Sequence, residues 1–212
     1  MLSNFVTSIQ QKTSYEIRLG LVCSEMCISD RGYTVQTRPA DEIIIADDGS
    51  RPETAELIRS FEKRLPVRHV WHEDNGFRKT IILNKALAMA TADYLVFTDQ
   101  DCVPRHDFLA THERMACRGR FLSGGYFKLP MGISRLLSHE DILSGRAFSL
   151  QWLMQQGLKL SFKCTKLVGN PLFAWLMNHI TPTHATWNGM NSSGWRTDLL
   201  SANGFDERMQ YG

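Results

Sequence analysis

This sequence lacks long apolar segments. Its cysteines and histidines also lack the spacings that are typical of disulfide frameworks and zinc sites. No window approaches the length of a transmembrane helix, and no basic segment followed by a long apolar run stands at the N-terminus. The five cysteines form no repeated CxxC pattern, and no histidine pair has zinc-type spacing. We therefore expect reduced thiols, no signal peptide and a cytoplasmic location.

A strong charge of either sign is also absent. The net charge of the 212 residues is +2 with histidine neutral, which is too small to indicate a nucleic-acid-binding protein. Hydrophobic residues make up 43% of the chain, enough for one substantial core. These values favour one globular domain that binds no nucleic acid.

Predicted strands and helices alternate from residue 41 onwards. Apolar and β-branched runs predict the strands, and helical spacing of apolar residues predicts the helices. The strands are residues 42–46, 67–71, 94–98 and 121–129, and the helices are residues 54–64, 78–90 and 107–117. Ser50 and Glu53 form the pattern of a capping box before the first helix. Strands joined by helical crossovers predict half of a doubly wound parallel sheet.

Two pairs of aspartates follow predicted strands directly. Asp47 and Asp48 end the first strand, and Asp99 and Asp101 end the third. Because the carboxyl ends of parallel strands meet at one edge, we expect all four carboxylates at the edge where open α/β sheets bind ligands. An Asp-x-Asp pair can aim hard oxygen ligands at Mg²⁺ or Mn²⁺ beside bound phosphates. The alternative is an Asp-rich turn that caps a helix.

The second half of the chain allows two interpretations at two places. Residues 133–180 favour helices in which large apolar residues are mixed with lysine and arginine; they form either a helical layer over the sheet or a basic amphipathic surface on an anionic membrane. Between Trp187 and Trp195, small polar residues fit a sugar site, because aromatic faces cover a sugar ring while amides bond its hydroxyls. A strand and turn with two core tryptophans fits that segment equally.

Several blocks resemble glycosyltransferase family 2, whose members have the GT-A fold. Residues 42–50 (Glu-Ile-Ile-Ile-Ala-Asp-Asp-Gly-Ser) are similar to its nucleotide-binding strand, and residues 76–86 and 92–104 match its next two blocks in order and spacing. Asn191 and residues 203–207 (Asn-Gly-Phe-Asp-Glu) resemble a galactosyltransferase-like carboxyl-terminal block. The resemblance implies an α/β fold, a mostly parallel Rossmann-like GT-A sheet with helices on both faces. It leaves residues 1–40 unclear and divides the rest into a nucleotide-sugar-binding half, residues 41–130, and a helical and acceptor half, residues 131–212.

The resemblance also implies the roles of the candidate site residues. Asp99 and Asp101 would hold Mn²⁺ or Mg²⁺ at the diphosphate of the donor. Asp206 and Glu207 would line the sugar and acceptor side, and they are the candidate catalytic carboxylates of this sequence. An inverting transfer needs a carboxylate to take the proton of the acceptor hydroxyl, a role that the family usually gives to a Glu-Asp pair after this loop. The nucleotide-sugar-binding residues would be Asp47, Asp48, Arg78, Lys79, Asn84, Asp99 and Asn191.

The implied function is transfer of a sugar from a nucleotide-sugar, expected to be UDP-linked, to a saccharide or lipid-linked acceptor. We expect a role in surface polysaccharide or lipopolysaccharide synthesis, with peripheral contact at the inner face of the membrane. The family pattern continues into a Glu-Asp pair where this sequence stops at Gly212, so we also expect a truncated enzyme. The alternatives are a nucleotidyltransferase, although its Gly-rich phosphate loop is missing near the first strand, and a nucleotide-binding remnant with impaired catalysis.

Overall fold

The computed structural model describes residues 3–9, 32–99, 101–168 and 186–209. Its strands are β1 (Ser3–Ile9), β2 (Ile43–Asp47), β3 (Val67–Trp71), β4 (Tyr94–Asp99), β5 (Leu122–Ser123) and β6 (Ser192–Trp195). Its helices are α1 (Pro52–Phe61), α2 (Lys79–Met89), α3 (Phe108–Met115), α4 (Met131–Ser134), α5 (His139–Leu143), α6 (Leu150–Gln155) and α7 (Arg196–Ser201). Short 3-10 helices span Arg146–Phe148 and Phe162–Leu167.

The strands form one mostly parallel sheet in the order β3-β2-β1-β4-β6-β5. β1 pairs in parallel with β2 and with β4, and β3 pairs in parallel with β2. β6 runs antiparallel to β4, and β5 runs antiparallel to β6. Ile9 of β1 pairs with Asp47 and Ser8 pairs with Asp99, so the two predicted aspartate pairs lie at one edge of the sheet, on either side of β1.

β1 lies in the part of the chain for which the sequence predicts no strand. Its sequence, Ser-Asn-Phe-Val-Thr-Ser-Ile, shows neither a continuous apolar run nor strict alternation. In the structure this segment forms a parallel ladder on both of its edges. Residues 1–40, which are unclear from the sequence, therefore include a strand of the sheet, because pairing on both sides outweighs a weak local propensity.

The residues of β2 alternate between two hydrophobic cores, one on each face of the sheet. Ile43 and Ile45 lie in a core with residues of α1 and α3, whereas Ile44 and Ala46 lie in a core with residues of α2. Complete burial of one isoleucine side chain stabilises the fold by about 1.5–3 kcal/mol. Helices thus cover both faces, and the predicted α/β class with the GT-A fold is confirmed.

Two local predictions are wrong. The strand predicted over residues 121–129 pairs only at Leu122–Ser123; beyond it, the side-chain amides of Asn188 and Asn191 bond the carbonyls of Gly124 and Gly125 in place of a partner strand. The capping box is not formed: α1 begins after Arg51, and Ser50 donates its hydroxyl to Asp47 instead. The helices predicted over residues 54–64, 78–90 and 107–117 are confirmed, with ends that differ by one to three residues.

Residues 131–168 form short helices around a core of their own. Ile133, Leu153, Leu158 and Cys164 are its buried residues. The helix-rich prediction for this part is confirmed, whereas residues 169–180 lie outside the described residues. In the described part of the chain, no helix has the length and apolar character needed to cross a membrane.

Candidate active site

Asp47 ends β2 and is buried, with 1% of its surface exposed. Its Oδ1 accepts a hydrogen bond from the backbone N of Ser50 (2.8 Å), and its Oδ2 accepts from Oγ of Ser50 (2.5 Å) and from Nε2 of His69 (2.8 Å). Burial raises the pKa of this carboxyl, but the bonds from His69 and Ser50 outweigh it and hold the pKa below its usual range. Asp47 is thus an ionised carboxylate that fixes the turn after β2. Its implied contact with a nucleotide stays a prediction.

Asp48 is a second buried carboxylate and connects β2 to the start of α2. Its Oδ2 accepts from the backbone N of Arg78 (2.9 Å), and its Oδ1 accepts from Nε2 of His72 (2.5 Å). Nζ of Lys85 lies 3.4 Å from Nδ1 of the same histidine. Sequence analysis missed both His69 and His72; the signal that could have identified them is their position in and directly after the predicted strand over residues 67–71.

Lys79 begins α2 and contacts Asp99 at the end of β4. Nζ of Lys79 lies 2.8 Å from Oδ1 of Asp99, and the two side chains are 16% and 24% exposed. Gly189 lies against this pair, since a Cβ there would be 3.2 Å from Nζ of Lys79. The neighbouring Arg78 directs its Nη2 to the carbonyl of Glu73 (2.5 Å). Of the two predicted cationic residues, Lys79 is therefore the one that the structure brings to the Asp-x-Asp turn.

Asp101, the second aspartate of that turn, is exposed. The adjacent Cys102 stays a thiol, because burial and the charges of Asp101 and Asp99 raise its pKa to about 12. Nowhere in residues 32–99, 101–168 and 186–209 do three His, Cys, Asp or Glu side chains group closely enough to hold a metal ion. Mg²⁺ in nucleotide sites commonly uses one or two carboxylates together with substrate phosphates and water. The carboxylates of Asp99 and Asp101 are chemically suited to that mode, and their assignment to the implied metal stays a prediction.

Asn84 of α2 holds the loop that carries the two candidate catalytic carboxylates. Its Oδ1 accepts from the backbone N of Phe205 (2.8 Å), and its Nδ2 donates to the carbonyl of Phe205 (2.9 Å) and to Oε1 of Glu207 (2.9 Å). Gly204 has a φ of +66° and no Cβ at the point where the Asn84 amide approaches the turn. In this structure the Asn84 amide positions Glu207. Its implied contact with a nucleotide stays a prediction.

Asp206 and Glu207 are both exposed, but their surroundings differ. Asp206 accepts from Nε and Nη2 of Arg208 at 2.9 and 2.8 Å, and these bonds lower its pKa to about 2. Glu207 receives only the bond from Asn84 within the described part of the chain. A general base works best when its pKa lies near the operating pH. Glu207 is therefore better suited than Asp206 to accept a proton.

Asn191 belongs to a hydrogen-bond network whose members His112, Ser193 and Tyr94 are buried. Its Nδ2 donates to the carbonyl of Gly125 (2.8 Å), so its Oδ1 is the acceptor for Nε2 of His112 (2.9 Å). Nδ1 of His112 then accepts from Oγ of Ser193 (2.7 Å), which accepts from the hydroxyl of Tyr94 (2.7 Å). Burial lowers the pKa of His112 despite the bond to Asn191, as this arrangement of a neutral imidazole requires. These hydrogen bonds join α3, β4, β6 and the segment after β5.

The same hydrogen-bond network also holds the turn that lies against the Lys79–Asp99 pair. Asn191 accepts a bond from the backbone N of Gly124 (2.8 Å), and its own backbone N donates to Oδ1 of Asn188 (2.7 Å). Gly189 lies in that turn. No sequence pattern singles out His112, whose partner Asn191 is 79 positions away.

The two tryptophans of the carboxyl-terminal segment are packed among other aromatic rings. Trp195 is 4% exposed and meets Tyr94 edge-on, with ring centroids 5.2 Å apart. Trp187 meets Phe97 at 5.1 Å and Phe205 at 5.9 Å. The interpretation as core tryptophans is therefore correct for Trp195, and Trp187 packs its ring on the end of β4 and the Glu207 loop.

Comparison with known proteins adds three curated relatives. Hyaluronan synthase of Pasteurella multocida is 34% identical over 73 residues, which are 32% of this chain and 8% of that protein. Validoxylamine A glucosyltransferase of Streptomyces hygroscopicus subsp. limoneus is 39% identical over 64 residues, 30% of this chain and 14% of that protein. Chondroitin synthase of Escherichia coli is 28% identical over 103 residues, 49% of this chain and 14% of that protein. The chain therefore matches only a small part of the length of these relatives.

A solved structure and a family model extend the likeness along the chain. Mannosyltransferase PcManGT from Pyrobaculum calidifontis, in complex with GDP-Man and Mn²⁺, has a TM-score of 0.57 and 17% identity, covering 97% of this chain and 47% of that one. At this identity the likeness concerns the fold. The model of the family "Glycosyl transferase family 2" matches residues 31–159, more than half of the sequence. The chain therefore belongs to glycosyl transferase family 2.

Proposed function

We propose that this chain transfers a sugar from a nucleoside diphosphate sugar to a hydroxyl of an acceptor. The observation that carries the proposal is the ion pair between Lys79 and Asp99. Asp99 ends β4 and stands two residues before the exposed Asp101. A cation and two carboxylates at this edge suit a diphosphate with its metal ion, and open α/β sheets bind ligands at this edge. Membership of glycosyl transferase family 2 supports the same conclusion.

The leaving group determines which residues the donor site needs. When the bond between the anomeric carbon and the diphosphate breaks, negative charge collects on the phosphate oxygens, and preorganised positive charge lowers the energy of that state. Lys79 supplies one such charge. Asp101, with Asp99, would hold Mn²⁺ or Mg²⁺, which when bound would neutralise diphosphate charge.

The acceptor side needs a carboxylate that removes a proton. As the acceptor oxygen attacks the anomeric carbon, its proton passes to a general base and the diphosphate departs with the bonding electrons. Glu207 fits this role best, because Asn84 fixes one of its oxygens and no arginine bonds to it within the described residues. Asp206 is a weak base because Arg208 lowers its pKa to about 2.

The finer substrate assignment is part of the same proposal. We propose a UDP-linked donor and a saccharide or lipid-linked acceptor, in the synthesis of a surface polysaccharide at the cytoplasmic face of the membrane. The support comes from relatives whose names are hyaluronan synthase and chondroitin synthase. The structural neighbour in complex with GDP-Man and Mn²⁺ makes a guanosine nucleotide the competing donor to test.

The decisive experiment measures nucleotide binding with and without metal. Calorimetric titration with UDP and GDP, each with and without Mn²⁺, should show metal-dependent binding that Asp101→Ala abolishes. Asp93→Ala is the matched control, because Asp93 is also exposed but precedes β4 at the opposite edge of the sheet. Equal binding by parent and Asp101→Ala would refute the metal assignment. Release of pyrophosphate from a nucleoside triphosphate, without any sugar transfer, would identify a nucleotidyltransferase instead.

A further inference from the structure

One short segment of the helical region presents apolar side chains to solvent. Leu160 and Phe162 are 67% and 76% exposed, the two largest values among the exposed large hydrophobic side chains of the described residues. Leu158 and Cys164, on either side of them, are buried in the core of residues 131–168. The segment is therefore anchored at both ends, and the exposure of Leu160 and Phe162 follows from its packing.

The same segment is positively charged. Lys159 and Lys163 are exposed beside the two apolar side chains. The sequence has no aspartate or glutamate between Asp141 and Asp198. Of the acidic residues before this stretch, Asp141 lies 3.1 Å from Nη2 of Arg146 and is thus already paired. No ion pair involves Lys159 or Lys163 within the described residues, so their charge is available to an anionic partner.

We propose that Lys159, Leu160, Phe162 and Lys163 form a docking surface for an anionic lipid bilayer. An aromatic ring and a leucine flanked by lysines match a membrane interface, where apolar groups enter the acyl boundary and ammonium groups meet lipid phosphates. The inference specifies which residues make the membrane contact of the proposed function. It rests on that function only for the purpose of the contact, which is access to a lipid-linked acceptor.

Attachment through so small a surface is reversible and depends on salt. Each lysine near an anionic surface strengthens binding about fivefold at moderate ionic strength. Charge is screened beyond roughly 10 Å at 0.1 M salt, so added salt should release the protein. Apolar insertion should survive that treatment in part, which separates the two contributions.

Vesicle sedimentation tests the proposal on the full chain. The protein should sediment with vesicles of phosphatidylcholine and phosphatidylglycerol and stay in solution with phosphatidylcholine alone. Lys159→Gln with Lys163→Gln should weaken binding by an order of magnitude or more, and Leu160→Ser with Phe162→Ser by at least about tenfold. Matched controls are Met115→Ser, 50% exposed on α3, and Arg59→Gln with Lys63→Gln at the end of α1.

Three outcomes would overturn the docking surface. They are equal binding to both kinds of vesicle, unchanged binding by the two double variants, and a concentration-dependent dimer that Leu160→Ser with Phe162→Ser abolishes. The last would make the surface a contact between copies of this chain. Calorimetric UDP binding by the same variants should equal that of the parent, so loss of vesicle binding with intact UDP binding supports the surface. Absence of UDP binding in every variant and in the parent would count against the proposed function alone.

Discussion

Nζ of Lys79 lies 2.8 Å from Oδ1 of Asp99, at the edge of the sheet where β2 and β4 end. This pair joins the start of α2 to the Asp-x-Asp turn and leaves Asp101 as the exposed carboxylate of the turn. Gly189 covers the pair from the carboxyl-terminal segment. The donor site that we propose is therefore assembled from three parts of the chain, and its charge balance depends on Lys79.

Replacing Lys79 by methionine should weaken nucleotide binding in the absence of metal. A hydrogen bond to a charged group contributes about 1.5–3 kcal/mol, or about ten- to 150-fold in affinity, and the partial exposure of Lys79 favours the lower end. Calorimetry with UDP in a chelator measures this loss. Lys79→Arg, which keeps the charge, should recover part of it, and Lys63→Met, an exposed lysine after α1, should change nothing. Unchanged affinity in Lys79→Met would show that the ammonium group only stabilises Asp99.

The sequence predicts the elements of this edge better than their contacts. β-branched and apolar runs fix β2 and β4 because both strands are buried on both faces. The Asp-x-Asp turn follows directly from that position. β1 escapes prediction because its residues carry no clear pattern, and its strand conformation depends on pairing with two neighbours.

The polar contacts escape prediction for a different reason. Asn84 meets Phe205 across 121 positions, and His112 meets Asn191 across 79 positions. Such pairs depend on the tertiary fold, and an asparagine in a helix has no local feature that reveals its partner. The structure shows the protein partners of Asn84 and Asn191. The roles that the resemblance implies for both residues at the nucleotide-sugar stay predictions.

Replacing Asn84 by alanine should lower the rate of sugar transfer and leave donor affinity nearly unchanged. Without the bond from Nδ2, Glu207 loses its fixed orientation, and a misplacement of about 1 Å can cost roughly a hundredfold in rate. Steady-state kinetics should thus show a fall in kcat of about ten- to a hundredfold, with the Kd for UDP as before. Asn84→Asp is the sharper variant, because it can still accept from the backbone N of Phe205 but repels Glu207. A fully active Asn84→Asp enzyme would show that sugar transfer does not depend on the bond from Asn84 to Glu207.

His112 should make the protein less stable in mild acid. Its pKa in the folded protein lies below its ordinary value because of burial, whereas in the unfolded chain it is about 6.5. The unfolded chain therefore binds a proton first as the pH falls, so this contribution to stability is complete above about pH 6.5 and declines from there down to the folded pKa. Urea unfolding across this range measures the decline.

His112→Asn isolates that contribution from the other histidines. Asparagine can accept the bond from Ser193 but has no titrating ring, so the variant should be less stable at neutral pH and should lose less stability on acidification. Parallel pH profiles for parent and variant would contradict the assignment. His69 and His72 are unchanged in both proteins, and their effects cancel in the difference.

Gly124→Ala should destabilise the fold, whereas Gly125→Ala should leave its stability almost unchanged, although the two residues are neighbours. A Cβ on Gly124 would lie 2.5 Å from Cγ of Asn191, whereas the nearest atom to a Cβ on Gly125 is Cδ of Lys166 at 3.8 Å. Overpacking of this kind costs about 1–3 kcal/mol, and Gly125→Ala should stay within about 0.5 kcal/mol of the parent. Urea unfolding of both variants measures the difference.

The cause of the Gly124→Ala loss can be separated from a general intolerance of side chains at that position. If the added methyl group displaces the Asn191 amide, then removing that amide first should make the methyl group harmless. Gly124→Ala should therefore cost much less in an Asn191→Ala background than in the parent, a non-additivity of about 1 kcal/mol or more for residues in direct contact. Because Asn191 also holds His112 and the turn of Gly189, Gly124→Ala alone should reduce donor affinity as well, and Gly125→Ala should not. Strict additivity of the two substitutions would mean that Gly124 is required for its backbone and not for the space it leaves to Asn191.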